Sequence, residues 1–442
     1  MYNTVKLNSI DFLHLATNSV SLSHGNLITI RFKEFHDAIE IYDGMRYMLT
    51  IYPKLRSIVE PTLFSYNLKI LEDNDERLNV LFNNSFHVVY SIKFDSPDYV
   101  KFRRDLYNEP FSLEQTIPIK IYYLPDDSKP ILLISIHHVV GDGFSWIHMV
   151  GSLMSYLNGK KPSLLPLDNP SLTPALLENK WYKIPLQIYN SLKLYAQNIR
   201  KPENKAVIPA TSHTVNFYGP VDMYHKTLSY NLTSIKSKTR ELGCSITSLL
   251  LTALTISLSQ DSKQRKGDII RIGLSVDLRP YFTGKTPIFG NYLTGLTVDI
   301  PRKCLDNPKK ILKEITSQMT YNLGLIKQKQ IFLPVLIYKL FTIMGKKNYA
   351  RGLRMVKKRR LIDRTFGLSN IGNVDHLNSH GPKAQIYDAI SCAPSQGLLV
   401  VINSIEGHIN TEISFQEAEF TRDEIKNLIK AFEKELGRLL EL

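Results

Sequence analysis

The chain has 442 residues, more than one compact core normally organises, and its 43% apolar and 22% charged make-up is that of a folded protein, not a disordered one. A formal net charge of +14 calls for an anionic partner at the surface: a phosphate-bearing small molecule, an acidic protein, anionic lipid or nucleic acid. Cys244, Cys304 and Cys392 lie far apart with no CxxC spacing, which argues against a disulfide scaffold or a structural zinc and fits a reducing compartment.

The first residues carry no basic stretch followed by an apolar block, so no secretory signal is expected. No run of about eighteen uncharged apolar residues marks a membrane span, and a cytoplasmic protein is expected. A strand over 26–31 leads into a helix over 35–51, which Pro53 stops. Strands are expected at 86–92, 118–124 and 131–136. The last is continuously apolar, the pattern of a strand covered on both faces. A helix follows over 144–157. Prolines at 162, 166, 170 and 174 then interrupt regular structure.

The chain accordingly divides into a first subdomain over 1–159, a connection over 160–211 and a second subdomain over 212–442. In the second, Ser245 caps a helix whose Ile246, Leu249, Leu250, Ala253, Leu254 and Leu258 form a core stripe. Strands are expected at 269–276, 293–300, 386–391, 398–404 and 409–415, and a helix capped by Thr421 closes the chain over 422–440. Strands alternating with helices in both halves indicate α/β layers.

The stretch SIHHVVGDGFSW, residues 135–146, sets two histidines and an aspartate directly after the apolar strand. Neighbouring side chains on a strand face opposite ways, so His137 and His138 are not expected to share a metal, and no HExxH or cysteine partner accompanies them. Asp142-Gly143 also suits a simple turn. The catalytic alternative uses one imidazole, half-protonated near neutral pH, to take a proton from an alcohol or amine attacking a carbonyl. No GxSxG elbow is present, which favours direct attack by a substrate over a covalent enzyme intermediate.

HHVVGDG resembles the HHxxxDG signature of the chloramphenicol acetyltransferase-like superfamily. That group includes peptide-synthetase condensation domains, plant acyltransferases, wax ester synthases and alcohol acetyltransferases. Ser275-Val276-Asp277-Leu278-Arg279-Pro280 with Phe289-Gly290-Asn291 is similar to the VDxRP…FGN segment. Leu368-Ser369-Asn370-Ile371-Gly372 resembles the SNxG element, Tyr52-Pro53-Lys54-Leu55-Arg56 the end of the first long helix, and 243–258 the GxTxxxxLLxAL helix.

The resemblance implies an α/β fold of two chloramphenicol acetyltransferase-like subdomains, each a mixed sheet with flanking helices, with an active-site tunnel between them. It implies that His138 is the general base facing the tunnel and that His137 points away into the structure. Asp142 would be no triad member but the salt-bridge partner of Arg279, and Gly143 would let the backbone pass close to the tunnel. Ser369 and Asn370 are candidates for orienting substrate or stabilising the oxyanion, and structural roles are expected for Asp277 and Asn291. The expected reaction moves an acyl group from a thioester, a coenzyme A ester by the SNxG likeness, to an alcohol or amine, with no bound cofactor or metal. The alternatives are a condensation enzyme served by an acyl carrier protein and a catalytically silent binding relative. The absence of DFGWG sets the chain apart from the plant enzymes. With no carrier or adenylation module present, a stand-alone enzyme is expected.

Between 325 and 364 twelve lysines and arginines face Asp363 alone, a net +11 interleaved with Ile331-Phe332-Leu333, Leu336-Ile337-Tyr338 and Leu340-Phe341. Such a segment suits an anionic membrane (here the inner face), the phosphates of coenzyme A or an acidic carrier protein, and equally an ordinary solvated helix. Without a recognition motif, no nucleic acid is expected.

Overall fold

The computed structural model describes residues 3–17, 25–62, 65–126, 129–167, 170–178, 180–199, 206–209, 219–260, 265–330, 345–358, 363–394 and 397–442. The strands are β1 (Asn3–Lys6), β2 (Gly25–Phe32), β3 (Ser57–Pro61), β4 (Tyr66–Ile70), β5 (Phe86–Val88), β6 (Ile119–Leu124), β7 (Ile131–His137), β8 (Ile208–Pro209) and β9 (Val221–Asn231). They continue as β10 (Arg265–Lys266), β11 (Ile269–Asp277), β12 (Leu293–Pro301), β13 (Phe366–Asn373), β14 (Ile386–Cys392), β15 (Leu398–Ile405) and β16 (His408–Gln416). The helices are α1 (Ser9–Thr17), α2 (Ala38–Ile51), α3 (Glu76–Asn83), α4 (Pro97–Asn108), α5 (Gly143–Leu157), α6 (Thr173–Leu176) and α7 (Ile184–Ile199). After them come α8 (Leu232–Glu241), α9 (Ile246–Gln260), α10 (Pro308–Lys327), α11 (Gly345–Lys358) and α12 (Arg422–Leu440).

Two mixed sheets organise the molecule. The first has five strands in the order β14-β2-β7-β6-β5, antiparallel except for the parallel β5–β6 pair. The second has six, in the order β12-β11-β13-β15-β16-β9, with parallel pairing at β11–β13 and β13–β15. A three-stranded ribbon, β1-β4-β3, flanks the first. The continuously apolar stretch before the histidines is the central strand β7, buried along its whole length. Helices α2 and α5 pack on this sheet, and Phe32, Met45, Leu49, Ile134, Trp146 and Val150 share one core. The second core joins Leu250 and Leu254 of α9 to Ile272, Val400, Ile413 and Phe432.

Local chemistry sets the element ends. Asp37 accepts from Ile39 N and starts α2 at Ala38, three residues later than the sequence pattern places it. Thr421 and Glu424 form a reciprocal capping box at the head of α12. β5 is shorter than the run over 86–92, since its pairing with β6 ends at Val88.

The strand at 386–391 does not pair within the half of the chain that carries it. β14 hydrogen-bonds to β2, from Cys392 opposite Leu27 to Ile386 opposite Phe32, and closes the edge of the first sheet. A division of the chain at 211 therefore does not separate the two sheets. Where they meet, Leu27, Tyr99, Leu133, Val221, Met223 and Cys392 form a small joint core. Beside it Arg103 reaches the fully buried Glu412 at 3.1 Å, and Arg31 pairs with Asp388. His225 stands between the two carboxylates, 3.4 Å from Glu412 and 3.6 Å from Asp388.

Candidate functional site

β7 ends at His137, a single 3-10 turn spans His138–Val140, and α5 begins at Gly143. His137 is the last paired residue, opposite Gly25, and is fully buried. Its Nδ1 accepts from Val139 N at 3.0 Å, and its ring meets the Phe111 ring edge-on at 5.5 Å. His138 leaves the strand direction, so the two rings occupy different surroundings.

Asp142 caps α5, accepting from Ser145 N at 3.0 Å. It is wholly buried, and Arg279 grips it with two parallel bonds, Nη1 to Oδ2 at 3.1 Å and Nη2 to Oδ1 at 3.0 Å. Tyr292 N adds a bond at 2.8 Å and Ser145 Oγ one at 3.1 Å. Asp277 holds the same guanidinium through Nη1 at 2.9 Å and accepts from Arg279 N. Burial alone would lower the Arg279 pKa, but these two carboxylates raise it, so the guanidinium stays charged. The second subdomain is thereby fastened to the head of α5. Gly290 sits at the crossing: its carbonyl accepts from Asp142 N and Arg279 Nη2, and it shares the single Ser145 hydroxyl hydrogen with Asp142 Oδ1. Its φ of +147° and the 2.7 Å from its would-be Cβ to the Tyr292 ring require glycine.

Asn291, the next residue, turns its side chain to His138. Its Nδ2 donates to the His138 carbonyl at 2.7 Å and to Asp11 Oδ1 at 2.7 Å. Both partners only accept, so the amide orientation is settled and Oδ1 faces His138 Nδ1 at 3.1 Å. That contact requires a hydrogen on Nδ1, which leaves the Nε2 lone pair for a proton. Burial holds the His138 pKa below its ordinary 6.5; the Asp142 charge and the Asn291 hydrogen bond offset this only in part. The ring is neutral at neutral pH and remains partly accessible.

α1 completes the setting. Asn8 caps it, Asp11 near its start accepts from Asn8 N as well as from Asn291, and His14 lies one turn further along the same face. The His14 ring stacks on that of His138, with centroids 3.8 Å apart and planes 7° from parallel. Sequence reading missed Asp11, His14 and Ser145. It took Asn291 for a structural residue, whereas its side chain also touches the His138 ring. The FGN segment already pointed at Asn291; nothing in the local pattern of residues 8–14 pointed at α1.

The other candidates have partners of their own. Asn370 is on β13 at a bulge, where Oδ1 accepts from Gly372 N at 2.9 Å and Nδ2 donates to Thr247 Oγ1 at 3.0 Å. Ser369 pairs with Val401 in the sheet. Among the described residues no hydrogen bond joins either to His138. A Cβ on Gly143 would meet no protein atom within 4 Å, whereas one on Gly141 would press on Trp146 and Ser145 at 3.0 Å. Of the basic segment, 331–344 and 359–362 lie outside the described residues, including Lys339, Arg359, Arg360 and the three apolar clusters. Within its described residues, α11 exposes Lys347, Arg351 and Arg354 and sets Tyr349 edge-on to Phe12 of α1 at 5.8 Å.

A family model for the condensation domain matches residues 95–320, just over half of the chain. The fold is similar to that of the trichothecene 15-O-acetyltransferase TRI3 from Fusarium sporotrichioides, with a TM-score of 0.69 at 12% identity, covering 99% of this chain and 94% of that one. The first condensation domain of the CDA synthetase gives a TM-score of 0.69 at 10% identity over 99% and 96% of the two chains. The starter condensation domain of rhizomide synthetase, solved with C8-CoA, gives 0.66 at 12% identity over 100% and 95%. No curated protein matches the sequence.

Proposed function

The chain belongs to the condensation-domain family, and on that premise we propose that it is an acyltransferase with His138 as general base. The observation that carries the proposal is the set tautomer: Asn291 Oδ1 occupies the Nδ1 hydrogen, so Nε2 alone is basic. The acceptor hydroxyl or amine gives its proton to Nε2 as its oxygen or nitrogen bonds to the thioester carbonyl carbon. The tetrahedral oxyanion then collapses, the carbon–sulfur bond breaks, and Nε2 returns the proton to the departing sulfur, which leaves as the free thiol. Asp142 takes no proton in this scheme; with Arg279 it holds α5 and the Gly290–Asn291 turn at fixed separation. The second amide hydrogen of Asn370 is the donor proposed for the oxyanion, with Ser369 beside it.

An acyl-coenzyme A donor and an alcohol acceptor are the substrates we favour, approaching along the boundary between the two sheets. A donor tethered to an acidic carrier protein is the second reading. It is supported by α11, whose Tyr349 packs on Phe12 of the helix backing His138 while Lys347, Arg351 and Arg354 stay exposed. In that reading α11 contacts an acidic protein; in the first it is available to coenzyme A phosphates or an anionic membrane.

The test measures free thiol released from acyl-coenzyme A donors of varied chain length, with and without alcohols and amines, and then from carrier-bound donors. His138→Ala should lose about 10²–10⁴ in turnover. Wild-type turnover in that variant would remove His138 from the chemistry.

A further inference from the structure

Among the described residues a cluster of exposed apolar side chains lies on the short helical turn Trp181–Lys183 and on α7. Trp181 is 81% exposed, Leu186 and Tyr189 are each 62%, and Tyr182 and Leu192 are more than half or half exposed at 58% and 50%. Among the described side chains of that helix, the buried ones are polar. Gln187 and Ser191 are 5% and 3% exposed; Gln187 Nε2 donates to the carbonyls of Leu176 and Lys329, and Ser191 Oγ donates to that of Gln330. An amphipathic helix on a core turns its apolar side inward; here the polar side is anchored by hydrogen bonds and the aromatic side faces out.

The charge along that segment has one sign. Between Glu178 and Glu203 the chain carries Lys180, Lys183, Lys193, Arg200 and Lys201 and no acidic residue, and the first three are exposed. Tryptophan and tyrosine with flanking lysines is the composition that settles at the level of lipid headgroups, where the rings meet the acyl boundary and the ammonium groups meet phosphate. A protein partner of neutral or basic surface would leave the lysines unmatched. We propose that the Trp181–Leu192 face docks on an anionic lipid bilayer and holds the protein at its surface. The proposal rests neither on the acyl-transfer reading nor on α11, and it is read without turnover.

The chain supplies its own reporter. Its tryptophans are Trp146, fully buried in the first core, and Trp181, so a change in emission on adding lipid reports Trp181. Phosphatidylcholine vesicles containing phosphatidylserine should shift the emission to the blue and co-sediment the full chain, and added salt should reverse both. Pure phosphatidylcholine should bind far less.

K180Q/K183Q/K193Q should lower partition onto the anionic vesicles roughly 100-fold, at about one kcal/mol per basic residue near the surface. L186S/Y189S should lower it at least about tenfold through lost apolar burial, with Trp181 still in place to read it. Both sets of side chains are exposed, so thermal melting should stay at the wild-type value. Absence of a blue shift and of co-sedimentation in the wild type overturns the proposal. So does a lipid-free dimer in sedimentation velocity that L186S/Y189S abolishes, since a second copy then covers the face.

Discussion

Asp142→Ala separates a structural carboxylate from a catalytic one. The Asp142 side chain accepts four hydrogen bonds, two from Arg279, one from Ser145 N and one from Tyr292 N, and shares the Ser145 hydroxyl hydrogen with the Gly290 carbonyl, with no exposure to water. Removing it leaves a buried guanidinium short of one partner, strips α5 of its cap and orphans a buried backbone N–H. Breaking a buried pair from one side costs about 3–5 kcal/mol. Asp277 stays on Nη1 at 2.9 Å, which places the expected loss near the lower end, about 3 kcal/mol in the same range. Against a whole-fold stability of about 5–15 kcal/mol, this is a large fraction. Urea unfolding of wild type, D142A, R279M and D142A/R279M measures it. The double variant buries neither charge, so it should be more stable than the sum of the single losses predicts, with a coupling of about 2–3 kcal/mol. Additive losses would mean the two groups do not stabilise each other. A D142A protein with the wild-type midpoint and no turnover would refute the argument and move Asp142 into the chemistry.

Because burial lowers the His138 pKa, the base form persists into mild acid, and the acidic limb of kcat/KM should bend below pH 6.5; a bend above that value contradicts the assignment. The same shift costs stability: as pH falls below 6.5 the unfolded chain takes up a proton that the folded imidazole resists, so this contribution falls until the lower folded pKa is passed. Asn291→Ala removes a contact that favours the charged ring and sets the tautomer. The acidic limb should move still lower while kcat drops roughly 10-fold or more; unchanged values for both would leave Asn291 without a role in positioning. His14→Phe keeps a flat ring on His138 and should retain most of kcat, whereas His14→Ala should lower kcat with KM unchanged, and equal losses in the two would count against a stacking platform. Glu412 is held below the ordinary carboxyl range: burial alone would raise it, but Arg103 and His225 outweigh that. Its stabilising share is present above pH 4.5 and lost as pH falls through the lower folded value. Glu412→Gln should destabilise by about 3–5 kcal/mol at neutral pH and flatten the acid limb of the urea midpoint; a midpoint equal to wild type would dismiss the cluster as a joint between the sheets.

Much of the fold is legible along the chain because its causes are local. The unbroken apolar run of β7 announces a strand covered on both faces, and Thr421, Ser245 and Pro53 mark element ends through bonds to residues a few positions away. His138 is legible for the same reason, as a motif at the end of such a strand. Its tautomer is not. That depends on Asn291, 153 residues on, whose amide is turned by Asp11, 280 residues back from it. His14 is equally hidden: one histidine in a nine-residue helix has no distinguishing spacing, and only packing α1 on the turn at His138–Val140 brings the rings together. β14 shows the limit for topology. Its side-chain pattern specifies a buried strand, but a period of two says nothing about which sheet edge will accept it. α7 shows the limit for surfaces, because helical periodicity fixes which residues share a face, while burial of Gln187 and Ser191 decides that the apolar face is the one left outside.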